Sequence, residues 1–459
     1  MKTAHLSRRL ELMEPAAAPQ SGGGLRVPWV EIVTLAVGAA LIVGAERWAR
    51  VLQGEGVRLY LGAPPLTGSV HPRLPPGAAL VALFAALAVW RGPDIAQRVR
   101  FRALTWLAAL GAAVWAALLA LTDGVTGLTA PVSVPWEYLH DVGRVGSPGA
   151  FLRGFVTNIG TYTTHVRAHP PGMLMLLWSL SRAGLQGPWG VVAIEFLGGA
   201  AAIPAVLITI RELAGEERAR AAAPFLVLVP FAVTFGSGDA LFMGVGAWAC
   251  ASLIMATGRA GRRCATWAAL GGVLLGIGLM LSYGLVLLAL LPAAVILARR
   301  RIAVGAIGLA GVASVIGAFA LAGFRWWEGF AATRVQYAES IARWRPSRYF
   351  LIANLAALAI AVGPATWVGL VRLRDRRVWL VTGASLAAIA LADLSGLSKG
   401  EVERIWLPFM PWMVAGAAWG LISSANRSRG PARGTTARRW LVAQVLWAVG
   451  LQLLVRSPW

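Results

Sequence analysis

The chain has 459 residues, of which 58% are hydrophobic and 14% charged, and it carries a net charge of +22. A soluble protein would carry about 25% charged residues, so a soluble enzyme is excluded. The basic residues lie in short clusters between apolar runs rather than in one patch, which excludes a nucleic-acid surface. The two cysteines, Cys250 in an apolar run and Cys264 after a basic cluster, make neither a disulfide framework nor a metal spacing.

In chain order, residues 1–27 are polar, basic and rich in Pro and Gly. They are too polar for a signal-peptide core and read as a disordered cytoplasmic tail. From 28 to 459 the chain reads as a single transmembrane domain. Apolar stretches of about 17–25 residues recur along it, each long enough to cross ~30 Å of hydrocarbon. Lipid offers the backbone no partner, so these stretches must be helices. Their continuous apolarity rules out the alternation of a β-barrel. The expected spans are 29–45, 77–90, 103–121, 171–184, 188–210, 222–236, 240–257, 265–281, 284–298, 303–323, 350–371, 378–394, 405–423 and 440–456. The fold class is all-α, a polytopic transmembrane bundle of about 12–14 helices.

Basic clusters at Arg8-Arg9, Arg98 to Arg102, Arg259 to Arg263, Arg299 to Arg301, Arg372 to Arg377 and Arg427 to Arg439 mark the cytoplasmic side. They place the N-terminus inside and the loops 122–170, 324–349 and 395–404 outside, with the turn Gly236 to Asp239. That assignment needs an odd number of crossings between His169 and Arg211. As a helix 171–184 covers only ~21 Å, so it is expected to be short or re-entrant.

Candidate chemistry lies in the external loops. Glu137 and Asp141 follow Pro135 at a spacing of i,i+4, which on a helix gives one face. Two such carboxylates suit a general base or a divalent cation; the plainer reading is a solvated helix face. His165 and His169 precede Pro170-Pro171-Gly172, where paired prolines set the angle of entry into the membrane. Both histidines could bind a sugar or phosphate, or simply sit at a helix entry. Glu195 is a lone acid in an apolar run, costly unless paired. Asp239 stands at an external boundary, as a site residue or a helix cap. Tyr283 sits at an external junction, where it could contact substrate or serve as a belt tyrosine.

The loop 324–349 carries Arg325, Arg334, Arg343, Arg345 and Arg348 among Trp326, Trp327 and Trp344. So many arginines on a translocated loop suggest an interfacial helix that attracts phosphate, against plain anchoring to anionic lipid. In the last external loop Lys399 and Arg404 adjoin Glu401 and Glu403. Arg404 could reach a lipid phosphate; the alternative is a local set of salt bridges. No Walker motif is present in this sequence.

Taken together, the acidic external loop, the His-Pro-Pro element, the later Asp239 and the late Arg404 resemble the GT-C superfamily of membrane glycosyltransferases. The branch that looks nearest is the protein mannosyltransferase-like and aminoarabinose transferase-like one. The resemblance covers about 120 to 410 of the sequence. Gly172 replaces the family's usual Leu, and Glu137-Tyr138 with Asp141 replaces an adjacent Asp-Glu pair. Extra apolar helices precede the loop. The resemblance implies a GT-C-like bundle with a long catalytic external loop. The abundance of Ala, Gly and Arg with little Lys suggests a high-GC bacterial genome, and so a bacterial plasma membrane. It implies transfer with inversion from a polyprenyl-phosphate sugar donor to an external glycan, lipid or protein acceptor. Asp141 or Glu137 would be catalytic; His165, His169, Asp239, Tyr283, Arg345, Arg348, Lys399 and Arg404 would bind substrate. Some members bind a divalent metal ion, here at Glu137 and Asp141, with Asp239 as a third candidate. The competing functions are a transporter or lipid flippase, which would use mid-membrane charge and inverted repeats, and a non-catalytic scaffold.

Overall fold

The computed structural model describes residues 29–424 and 432–458. The chain is an antiparallel bundle of helices with one short strand pair, Ser69–Val70 against Val455–Arg456. Among the described residues nine helices are long and apolar enough to cross a membrane: Trp29–Gly54, Ala78–Arg98, Phe101–Asp123, Pro188–Ala214, Gly238–Thr257, Gly261–Leu281, Ile302–Leu321, Arg376–Leu394 and Val402–Ser423. The tail 1–27, with Arg8 and Arg9, and the residues Arg427 and Arg429 lie outside the described residues.

Four expected spans differ in kind. The stretch 350–371 is not one helix but two, Ser347–Val362 and Pro364–Arg372, which meet at 98°. Gly363 between them has φ 75. Glycine takes positive φ without a Cβ clash, and the proline after it cannot continue the hydrogen-bond ladder. The stretch 222–236 divides into Glu216–Val227 and a 3₁₀ turn, Pro230–Thr234. The stretch 284–298 opens with 3₁₀ geometry over Tyr283–Ala289 before Leu290–Ala298. The stretch 171–184 is the 11-residue helix Gly172–Arg182, ~16 Å long and too short to cross.

Chemically, the two ends of the bundle are unlike. At one end Arg220 donates to the Ala96 and Val99 carbonyls at 2.6 and 2.8 Å. There Arg218 pairs with Asp375 at 2.5 Å and Arg372 with Glu31 at 2.7 Å. Glu212 takes Arg259 at 2.6 Å and Arg299 at 3.4 Å. These contacts gather the basic clusters onto one face, the basic end. Because Gly172–Arg182 does not cross, Pro188–Ala214 starts at the opposite end and reaches the basic end at Arg211. The loops expected outside meet at that opposite end. Thr333 donates to the Arg167 carbonyl at 3.0 Å, joining 324–349 to 122–170. Lys399 Nζ donates to the Ala342 carbonyl at 3.2 Å, joining 395–404 to the same assembly.

Neither polar loop is irregular. The first folds into short helices, Thr126–Ser133, Pro148–Gly154 and Thr164–Ala168, with 3₁₀ turns between. The second holds the helix Trp326–Glu339, whose Trp326 indole donates to the Leu279 carbonyl at 2.9 Å. Tight helix contact brings the site's walls together. A Cβ on Gly198 would lie 2.5 Å from the Leu241 Cα, so Pro188–Ala214 meets Gly238–Thr257 at a distance only glycine permits.

Candidate active site

The acidic loop is built by short-range bonds. Pro135 stands before Glu137, whose backbone is extended at φ −83, ψ 163. The 3₁₀ helix Tyr138–Val145 follows. Glu137 and Asp141 therefore do not share the face of an α-helix: Glu137 precedes the helix, and the helix is 3₁₀. Their tasks also diverge. Asp141 accepts from Arg144 at 2.9 Å and from the Thr163 backbone N–H at 2.7 Å. Arg144 donates on to the Thr161 carbonyl at 2.7 Å. Asp141 thus clasps the two limbs of the loop. The His165 backbone N–H donates to the Trp136 carbonyl at 3.1 Å, which brings His165 beside Glu137.

A buried polar chain runs from there across the site. Glu137 Oε1 lies 2.7 Å from His165 Nδ1. His165 Nε2 lies 3.0 Å from Arg404 Nη2. A guanidinium can only donate, so Nε2 must accept, and the imidazole proton sits on Nδ1, where it is given to Glu137. Arg404 Nη1 donates to Asp239 Oδ2 at 2.7 Å, and Nη2 also donates to Glu401 Oε2 at 2.7 Å. Glu137, His165, Asp239 and Arg404 are all buried. Removing such charges from water is costly unless each is matched, and here one guanidinium joins two carboxylates and an imidazole. Asp239 lies in the first turn of Gly238–Thr257, where backbone N–H groups favour an anion.

The loop 395–404 holds this chain in place. Glu401 has left-handed backbone, φ 62, which turns its carboxylate back onto Arg404. Burial would raise the Glu401 carboxyl, but Arg404 and Arg345 outweigh it and hold it below the ordinary carboxylate range. Arg345 is buried. It donates to the Leu59 carbonyl at 3.0 Å and to the Lys399 carbonyl, and lies 4.0 Å from Glu401 Oε1. Burial pushes its guanidinium down. Asn354 donates to Asp393 at 2.8 Å and to the Ser398 carbonyl at 2.7 Å, and accepts from the Gly400 N–H at 3.1 Å, which fixes the turn.

The remaining sequence candidates stand apart from the chain or beside it. His169 is next to it, its ring 6.0 Å from that of Tyr138 and 5.4 Å from that of Phe242. Burial first, then the charges of His165 and Arg404, push its imidazole down to about 3. Tyr283 packs edge-on against Trp326 at 5.2 Å, under the interfacial helix. Arg348 is exposed at the surface of the site end, and Arg343 lies over the Trp344 ring at 4.5 Å.

The residues present do not fit a divalent metal at Glu137 and Asp141. Both Asp141 oxygens are taken up, by Arg144 and by a backbone N–H, and of Glu137 only the oxygen not held by His165 would be left. Among the described residues no group of three His, Cys, Asp or Glu side chains is arranged to hold a metal ion.

Three contributors had no role in the site assigned from the sequence. Glu401 sits i,i+3 from Arg404, a spacing visible in the sequence. Tyr138 is buried with its ring 5.9 Å from that of His165. Burial first, then Glu137 and Asp239, raise its phenol well above the ordinary value. Glu195 is 1% exposed on Pro188–Ala214, within reach of the charges of Glu137, Asp239 and Arg404.

No family model matches the sequence, and no curated protein matches it. Among solved structures the chain is similar to ArnT from Cupriavidus metallidurans. To the apo state it has 14% identity over 74% of this chain and 77% of that one, with a TM-score of 0.45. To the form bound to undecaprenyl phosphate it has 13% identity over 82% and 77%, with a TM-score of 0.47. It is also similar to the oligosaccharyltransferase of Archaeoglobus fulgidus in the apo form, at 13% identity and a TM-score of 0.48. That match covers 76% of this chain and 56% of the archaeal one. Likeness of this degree assigns neither activity nor ligand.

Proposed function

We propose that this chain is a membrane glycosyltransferase. It would move a sugar from a polyprenyl-phosphate donor to a hydroxyl of an external glycan, lipid or protein acceptor, with inversion at the anomeric carbon. The observation that carries this reading is the buried chain from Glu137 through His165 to Arg404 and Asp239. It puts a carboxylate, an oriented imidazole and a guanidinium together at the end of the bundle away from the basic clusters. By the distribution of arginines that end faces the outside of a bacterial plasma membrane, with the N-terminus in the cytoplasm.

In this reading Glu137 is the general base. His165 holds Oε1, which leaves Oε2 to take the acceptor proton. As that proton leaves, the acceptor oxygen bonds the anomeric carbon. The bond from that carbon to the phosphate oxygen breaks on the opposite face, and its electron pair departs with the polyprenyl phosphate. Arg404 supplies fixed positive charge as the phosphate gains negative charge. Asp141 is a clasp of the loop rather than the base. Arg343 and Arg348, beside Trp344 at the membrane surface, draw in the anionic donor.

The test uses sealed membrane vesicles of known orientation, supplied either with a labelled polyprenyl-phosphate sugar or with the matching water-soluble nucleotide sugar. The expected result is labelled product from the lipid donor alone, formed on the face that carries Glu137. Passage of the lipid across the bilayer with no transfer product would replace this reading with a transporter or flippase.

A further inference from the structure

One polar group at the site takes no part in the chain just described. Glu195 is 1% exposed, and its Oε2 has no hydrogen-bond partner among the described residues. An unmatched carboxyl in a helix interior is expensive to keep, and such a group in a membrane helix is a functional candidate. Its surroundings point the same way. Gly198, one turn further along the helix, lies against the Leu241 and Ala240 backbone. Glu195 therefore faces the first turn of Gly238–Thr257, where Asp239 stands. The charges that act on it are those of Glu137, Asp239 and Arg404. The phenol of Tyr138 is under the influence of Glu195 as well as Glu137 and Asp239. His169, whose ring lies against that of Tyr138, has a buried Nδ1 with no hydrogen-bond partner among the described residues.

We propose that Glu195 and Tyr138 form a subsite for the hydroxyl groups of the sugar ring carried by the lipid-phosphate donor, with His169 Nδ1 as a further acceptor. This rests on the glycosyltransferase reading and adds where the sugar is held. The ligand class follows from the chemistry. A ring with several neutral hydroxyls both donates and accepts, which matches the unpartnered Glu195 Oε2 and His169 Nδ1 with the Tyr138 phenol beside them. A second phosphate would meet three carboxylates. A purely apolar ligand would leave Glu195 and His169 unsatisfied. Sites that hydrogen-bond substrate hydroxyls also discriminate strongly against analogues that lack them.

The experiment reads binding, not turnover, so it stands whether or not Glu137 proves to be the base. Purified wild-type protein is titrated with undecaprenyl phosphate and with undecaprenyl-phosphoryl mannose, glucose, galactose and arabinose, and ligand-induced shifts of the thermal midpoint give affinities. At least one sugar-bearing lipid should bind about tenfold more tightly than the bare phosphate. Glu195→Leu should lose that advantage while binding the bare phosphate as before. Glu195→Gln, which keeps hydrogen-bonding atoms, should retain most of it. The Glu195→Leu protein without ligand should melt no lower than wild type, since the replaced carboxyl has an unmatched oxygen. Should Glu195→Leu not fold, Tyr138→Phe decides the matter by removing the hydroxyl alone. An undiminished sugar advantage in Glu195→Leu, or in Tyr138→Phe if that variant decides, would overturn the proposal. So would a wild type that binds no sugar of the panel better than the bare phosphate.

Discussion

Both ends of this bundle are rich in arginine, yet they use it differently. At the basic end the pairs are partly open to solvent: Arg259 and Glu212 are 34% and 20% exposed, and no one residue holds the set together. Pairs of that kind contribute about 0–1 kcal/mol each. At the site end Arg404 and Asp239 are 7% and 5% exposed, and Arg404 alone joins Asp239, Glu401 and His165. Burying such a network costs more than an apolar replacement would. Arginine at the basic end serves topology. Arginine at the site end is an expense that chemistry explains better than stability does.

The comparison is tested most severely by removing the hub. Arg404→Met should strip the cation from two buried carboxylates and destabilise the protein by about 3–5 kcal/mol, read as a fall in thermal midpoint, with loss of transfer. Arg404→Lys should recover little, because an ammonium cannot span the same three partners in a plane. Next in size is the clasp. Asp141→Asn should lower transfer by loosening the loop while leaving the pH dependence of the rate unchanged, since Asp141 gives up no proton in the reaction. A base at Asp141 would move that profile.

A smaller effect concerns pH. His169 is held neutral down to about 3 by burial and by the charges of His165 and Arg404, whereas in the unfolded chain it protonates near the ordinary histidine value. The unfolded state therefore binds the extra proton first. The contribution of His169 to stability is full above about 6.5 and declines as pH falls toward about 3. Melting curves of His169→Gln should show a shallower loss of stability on acidification than wild type. The smallest effect belongs to the basic end, where Glu212→Gln, which weakens two such pairs, should cost no more than about 2 kcal/mol.

Much of the architecture was legible because lipid imposes simple rules. Continuous apolar runs had to be helices, and arginine clusters had to share a face. The parity of crossings even singled out 171–184, which is the 11-residue helix Gly172–Arg182. Local backbone chemistry was harder to read. The bend at Gly363 lies inside one long apolar run and is marked in the sequence only by the Gly363-Pro364 pair. The i,i+4 spacing of Glu137 and Asp141 suggested one α-helical face, but Pro135 and an extended Glu137 lead into a 3₁₀ helix. Sequence also could not show that Arg345 donates to the Leu59 and Lys399 carbonyls. Glu195 was visible as a lone acid in an apolar run, but its neighbour Asp239 is distant in sequence, so no spacing could connect them.

The most direct test is the turnover of purified, reconstituted Glu137→Gln protein with a polyprenyl-phosphate sugar, beside its melting curve. A fall of about 10²–10⁴ in kcat with a nearly unchanged thermal midpoint is the expected result, the scale of losing a general base. Turnover equal to wild type in a folded Glu137→Gln protein would contradict the assignment of the base and with it the mechanism.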